Sequence, residues 1–217
     1  MTSYGILGTG VVGRTLATRL VELGHDVRVG SRMAGTDAPG GGTVSFADAA
    51  AHGAVVINAT TGLVSLTVLE SAGAANLAGK VVVDVANALD FSGGFPPKVL
   101  AGSDDSLAER IQAAFPAVRL VKALNTMTAS VMVAPRGLPG PHSTFLAGND
   151  AEAKTTVRAM LHEFGWADAE ILDLGDLSAA RALELYLPLW LRIMGSVGGA
   201  SFNIHVVDGT PSGAADS

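Results

Sequence analysis

Residues 5–32 read GILGTGVVGRTLATRLVELGHDVRVGSR, and the stretch Gly8-Thr9-Gly10-Val11-Val12-Gly13 within it leaves few folds open. It lies between a short apolar run, Tyr4 to Leu7, and an amphipathic one, Arg14 to Leu23. In the second run Leu16, Ala17, Leu20 and Val21 share one face at helical spacing, and Gly24 supplies a stop. Asp26 to Val29 then reads as another strand. A strand that turns through glycines into a helix and returns to a strand is the first half of a dinucleotide-binding unit. There Gly8 takes the tight turn, Gly10 lets the backbone approach a pyrophosphate, and Gly13 permits close helix packing. The amides of Thr9 to Val12 face the anion at the helix N-terminus. With 27 glycines in the chain the spacing alone is a weak signal. Its flanks separate it from an ordinary glycine-rich turn.

The end of the second strand selects the nucleotide. Sites for NAD place Asp or Glu there, about twenty residues beyond the glycines, to hold the ribose 2′-hydroxyl. This chain has Gly30, followed by Ser31 and Arg32. A carboxylate repels a 2′-phosphate, whereas a hydroxyl and a guanidinium bind one through charge-assisted hydrogen bonds. The expectation is NADP(H), against the alternative that Arg32 is a solvated surface charge.

Further strands are expected at Thr43–Phe46, Val55–Ile57, Val81–Val83, Leu120–Val121 and Glu170–Leu174. Ser45, three residues before Asp48, caps a helix running to His52. Other helices are expected over residues 63–77, 106–115, 151–163 and 177–194, the last bent by Pro188. Apolar strands without alternation, separated by helix-length segments, are buried on both faces. The fold class is therefore α/β, a Rossmann-type doubly wound parallel sheet with a small C-terminal helical portion. Residues 1–145 form the dinucleotide-binding domain, 146–207 a small portion packing on it, and 208–217 a disordered tail. Residues 33–42 are near the minimum length for a parallel crossover, so an irregular connection replaces a helix there.

At 217 residues the chain can bury one substantial core. Its 14 basic and 20 acidic residues give a net charge of −6, with no broad basic field for nucleic acid. There is no cysteine, which excludes disulfides and thiolate metal sites, and the five histidines share no ligand-like spacing, so no metal is expected. Residues 1–4 lack the basic flank of a secretory signal and lead directly into the glycine turn, which points to the cytoplasm. The most apolar stretch, Leu183 to Met194, is short and carries Glu184, Pro188 and Arg192, and so reads as a buried or interface helix with no membrane role.

The glycine segment 8–32, together with VVVDVANAL (residues 81–89), VKALNTM (121–127) and GDLSAARALE (175–184), resembles the F420-dependent NADP oxidoreductase family. The resemblance implies a Rossmann domain with a small C-terminal portion and a homodimer. It also implies NADP(H) binding through Thr9, Ser31 and Arg32, and hydride transfer between NADP(H) and the deazaflavin coenzyme F420. Family members carry a longer second crossover, and several place a histidine near the deazaflavin where this chain has Asn125.

Ligands of doubly wound sheets bind beyond the carboxyl ends of the strands. Thr60, Thr61, Ala86, Asn87, Asn125, Thr126 and Met127 are the residues expected there. The cofactor-binding set is thus Gly8, Thr9, Gly10, Val11, Val12, Gly13, Ser31, Arg32, Thr60, Thr61, Asn87 and Asn125. Transfer between two organic redox carriers needs alignment and dryness more than an acid. Reduction of an imine or carbonyl would favour a proton donor, for which Lys122 is the candidate, and Asn125 is the other candidate catalytic residue. A non-catalytic NADP(H)-sensing module is the third reading. Leu183, Leu187, Trp190, Leu191 and Met194 form an apolar stripe suited to the core or to a second subunit.

Overall fold

A computed structural model describes residues 1–207, and the expected 208–217 tail lies outside the described residues. The order is β1 (Ser3–Leu7), α1 (Val11–Glu22), β2 (Asp26–Gly30), β3 (Asp37–Ala38), β4 (Gly41–Gly42), α2 (Phe46–His52) and β5 (Val55–Asn58). It continues through α3 (Ser65–Ala72), α4 (Ala74–Leu77), β6 (Val81–Asp84), β7 (Leu89–Asp90), β8 (Lys98–Val99), α5 (Leu107–Ala114) and β9 (Arg119–Ala123). The chain then forms α6 (Ala129–Val133), β10 (Thr144–Ala147), α7 (Ala151–Phe164), β11 (Ile171–Asp173), α8 (Ala180–Leu185) and α9 (Leu187–Val197).

Seven strands form one sheet in the order β11-β10-β9-β6-β5-β1-β2. Alternation in the pleat sends neighbouring residues to opposite faces, and both faces are covered. Ile6, Ile57, Val83 and Val121 pack against Leu16 and Leu20 of α1, Met132 of α6 and Val157 of α7. Leu7, Val56, Val82 and Leu120 pack against Ala49 of α2, Leu69 of α3 and Ile111 of α5. Each fully buried Leu, Ile or Val contributes about 1.5–3 kcal/mol by leaving water.

The structure corrects several expectations. The sheet is parallel from β2 to β9, but β10 runs antiparallel to β9 and β11 follows β10. The boundary expected at residue 145 falls inside β10, which with β11 extends the same sheet. The strand expected at Thr43–Phe46 shrinks to a single bridge between Val44 and Gly30. The Ser45 side chain accepts from the Asp48 amide and starts α2 at once, which leaves no length for a strand. Residues 33–42 hold no helix, only the β3–β4 hairpin, as the short crossover demanded. The helix over 63–77 is a single 3₁₀ turn, Gly62–Val64, then α3 and α4, divided at Gly73 where φ is +88°. The long helix over 177–194 is a 3₁₀ turn followed by α8 and α9, with Pro188 in the first turn of α9. A proline there lacks a donor and crowds the carbonyl four residues back, so the chain restarts where only a bend was expected.

Candidate functional site

The strand ends converge on a crevice. Leu7 closes β1 and the chain turns at Gly8, whose φ of +119° is open to glycine alone, and whose Cβ would lie 2.7 Å from the Ala59 carbonyl oxygen. A Cβ at Gly13 would meet the Gly8 carbonyl oxygen at 2.2 Å, so α1 packs directly on the turn that precedes it. Gly10 differs. Its φ of −70° and ψ of 178° suit any residue, and nothing lies within 4 Å of the position its Cβ would take. No packing partner asks for glycine there; the open space beside the α1 N-terminus does. No side chain caps that N-terminus, which leaves its amides free to donate.

Two cavities adjoin beside this turn. One, of about 480 Å³, is lined by Gly8, Thr9, Gly10, Ser31, Arg32, Phe46 and residues of α3. The other, of about 210 Å³, is lined by Val12, Ala86, Asn87, Leu89, Phe91, Asn125, Met127 and Met132. Ala59, Thr60 and Thr61 wall both, so the two cavities together span the strand ends from β2 to β9. Larger hollows beside α9 (about 770 Å³) and behind α1 (about 510 Å³) take no residue from the glycine turn.

At the β2 end, Arg32 is exposed and Ser31 Oγ accepts from the Met33 amide at 3.2 Å. A side chain at Gly30 would meet Phe46 Cδ1 at 3.0 Å and Ala49 Cβ at 3.1 Å. Packing of α2 therefore crowds the position where an NAD-type carboxylate would stand. At the β9 end, Asn87 and Asn125 bond reciprocally: Asn87 Nδ2 donates to the Asn125 carbonyl at 2.8 Å, and Asn125 Nδ2 to Asn87 Oδ1 at 2.9 Å. Asn125 Nδ2 also donates to the Leu183 carbonyl at 3.0 Å, which fixes the amide orientation and leaves Oδ1 buried without a protein partner. Leu124, just before it, is buried with φ of +63°, a strained conformation for a leucine that turns the chain into the crevice. Thr60 Oγ1 donates to Asn58 Oδ1 at 2.7 Å.

The family model for "NADP oxidoreductase coenzyme F420-dependent" matches residues 3–88, the segment that builds the glycine turn, Arg32, Thr60 and Asn87. A crystal structure from Arthrobacter sp. FB24, described as a candidate F420-dependent NADP-reductase, is 43% identical and superposes with a TM-score of 0.89. The match covers 96% of this chain and 100% of that one. The chain belongs to the F420-dependent NADP oxidoreductase family. The metalloreductase STEAP3 of Rattus norvegicus is 36% identical over 194 residues, which are 86% of this chain and 37% of the rat protein. The chain thus spans just over a third of that relative's length. A reductive aminase from Aspergillus terreus, solved with NADPH and ethyl-5-oxohexanoate, shares the fold at 21% identity, with a TM-score of 0.66 over 91% of this chain and 63% of that one.

All twelve residues expected to bind cofactor fall on or beside the crevice: Gly13 beneath the turn, Val11 exposed at its helix N-terminus, the others along the walls. Lys122 does not. It is fully buried beneath the floor, where Nζ donates to Asp84 Oδ2 at 2.8 Å, to the Ala86 carbonyl, and to Glu184 Oε1 at 3.0 Å. Burial alone would lower the lysine pKa, yet the facing carboxylates of Asp84 and Glu184 outweigh it and hold the ammonium above its ordinary range. A proton held this firmly, with no atom exposed, is not available to a substrate. Sequence reading missed both carboxylates. Asp84 directly follows the expected strand Val81–Val83, and Glu184 interrupts an apolar stretch. A charged residue inside such a run is the signal that could have found them.

Among the described residues no helix is long and apolar enough to cross a membrane, and no group of three or more His, Asp or Glu residues could hold a metal ion.

Proposed function

We propose that the chain binds NADP(H) along this crevice and catalyses hydride transfer between NADP(H) and coenzyme F420. The observation that carries the reading is the pair of adjoining cavities, sharing Ala59, Thr60 and Thr61, that together run from Arg32, past the open Gly10, to Asn87 and Asn125. The residues fit such a group. Amides from Thr9 to Val12 would hold the pyrophosphate at the α1 N-terminus. Ser31 and Arg32 would hold the 2′-phosphate, beside a glycine, Gly30, that carries no competing carboxylate and is crowded by Phe46. Thr60, Thr61, Asn87 and Asn125 line the cavity that would take the carboxamide, and Asn125 Oδ1 lacks a protein partner. When bound, the nicotinamide supplies the carbon that gives or takes the hydride.

The chain's own contribution is alignment and exclusion of water. Val12, Met127 and Met132 wall the β9 end, with Leu89 and Phe91 of the β7 segment opposite. The residues lining this end include no Asp, Glu, His, Lys or Tyr, which supports exchange between two redox carriers over reduction of a carbonyl or imine. Two chains are proposed to pair through α9, an apolar helix whose Leu189 and Val197 are 56% and 60% exposed. The test mixes the protein with NADPH and oxidised F420 and follows loss of deazaflavin absorbance. Sustained turnover with NADPH and little with NADH is expected. Tight NADPH binding with no change in F420 would refute the assignment of the second carrier.

A further inference from the structure

We propose that Lys122, backed by Glu184, is a positioning residue that fixes the turn presenting Asn87 and Asn125 to the nicotinamide end of the crevice; this rests on the NADP(H) reading above. The ammonium has three donors and meets three acceptors: Asp84 Oδ2 at 2.8 Å, Glu184 Oε1 at 3.0 Å and the Ala86 carbonyl. Asp84 Oδ1 in turn accepts from the Ala86 amide at 3.3 Å and from Asn58 Nδ2 at 2.8 Å. The amide and the carbonyl of Ala86 are thus both gripped by one ion cluster, and the next residue is Asn87. Through Asn58 the same cluster reaches Thr60, whose hydroxyl donates to Asn58 Oδ1 at 2.7 Å.

The cluster is anchored from outside the sheet. Glu184 lies on α8 and its carboxylate accepts the first two amides of α5, Leu107 at 2.8 Å and Ala108 at 3.2 Å. The excess negative charge of two carboxylates on one ammonium is therefore shared with a helix N-terminus. The neighbouring residue on α8, Leu183, accepts from Asn125 Nδ2 at 3.0 Å. Two consecutive residues of the C-terminal portion thereby hold both asparagines of the crevice, one directly and one through Lys122. Stability alone is a poor reason for this arrangement, since a buried ion triad is often replaced by apolar residues without loss. What an apolar replacement cannot do is hold the Ala86 carbonyl, the Ala86 amide and the Asn58 side chain in one orientation.

Glu184→Gln keeps the shape and an oxygen for the α5 amides but removes the charge facing Lys122. Two ligands are titrated by calorimetry: NADPH, and 2′-phospho-ADP-ribose, which lacks the nicotinamide. Glu184→Gln is expected to bind the fragment within twofold of the unsubstituted protein and NADPH about tenfold more weakly. Glu184→Asp, which keeps the charge, should recover most of that loss. Arg181→Gln, which breaks the bidentate Arg181–Glu109 pair between α8 and α5 but leaves the cluster intact, should bind both ligands as before. Equal losses for both ligands, no loss for either, or absence of a cooperative melt in both Glu184 variants would overturn the assignment. If the unsubstituted protein binds neither ligand, the NADP(H) reading itself fails, a result distinct from all of these.

Discussion

Alanine at Gly10 and alanine at Gly13 should separate ligand demand from packing demand within one helical turn. At Gly10 the backbone is extended and a Cβ meets nothing within 4 Å, so the protein loses at most about 0.5 kcal/mol for a poorer N-cap. The same methyl enters the space reserved for the pyrophosphate. Displacing the phosphate from two amides forfeits two hydrogen bonds to a charged group, about 1.5–3 kcal/mol each. The expected loss is about 3 kcal/mol or more, at least roughly a hundredfold in NADPH affinity. At Gly13 the balance reverses. Alanine gains up to about 1 kcal/mol of helix propensity, but its Cβ falls 2.2 Å from the Gly8 carbonyl oxygen. That oxygen belongs to a turn pinned by the Gly8 amide to the Gly30 carbonyl at 3.1 Å, so it cannot yield cheaply. The strain, about 1–3 kcal/mol, wins and should lower the melting temperature by several degrees. Thermal melting read beside calorimetric titration with NADPH checks both. Unaltered NADPH affinity in Gly10→Ala, or a melting temperature as low as that of Gly13→Ala, would refute the reasoning.

Arg32→Ala should weaken NADPH by about 1.5–3 kcal/mol and leave NADH nearly unchanged, as measured by paired titrations; equal losses would remove Arg32 from the 2′-phosphate site. Lys122→Met strands Asp84 and Glu184 as buried carboxylates and should cost about 3–5 kcal/mol in chemical denaturation. Acid should destabilise the protein in a defined window. Arg181 and Ser106 hold the Glu109 carboxyl below its ordinary value of 4.5 against the opposing effect of burial. A group depressed in the folded state contributes stability above its unfolded pKa and loses it as pH falls through the folded one. Melting temperature should therefore fall as pH drops below about 4.5, and Arg181→Gln should flatten that fall.

The central sheet was legible because its strands are buried on both faces and so carry uninterrupted apolar runs, as in Val55–Ile57 and Val81–Val83. The start of the glycine turn, Ser31, Arg32 and the strand-end amides were legible as candidates because each follows its strand by one to three residues. What escaped depends on partners distant in the chain. Lys122 meets Asp84 and Glu184 across three elements, and neither spacing nor period encodes that meeting. The antiparallel entry of β10 depends on the path of residues 134–143, where a short 3₁₀ turn, Pro135–Gly137, is the regular structure. The strand misread at Thr43–Phe46 shows local cap chemistry at Ser45 overriding β-forming side chains.

The most direct measurement is a crystal structure of the protein with NADP⁺. The expected result places the 2′-phosphate within hydrogen-bond distance of the Arg32 guanidinium and Ser31 hydroxyl, and the carboxamide against Asn125. A 2′-phosphate turned to solvent and untouched by Ser31 or Arg32 would contradict the assignment of the crevice.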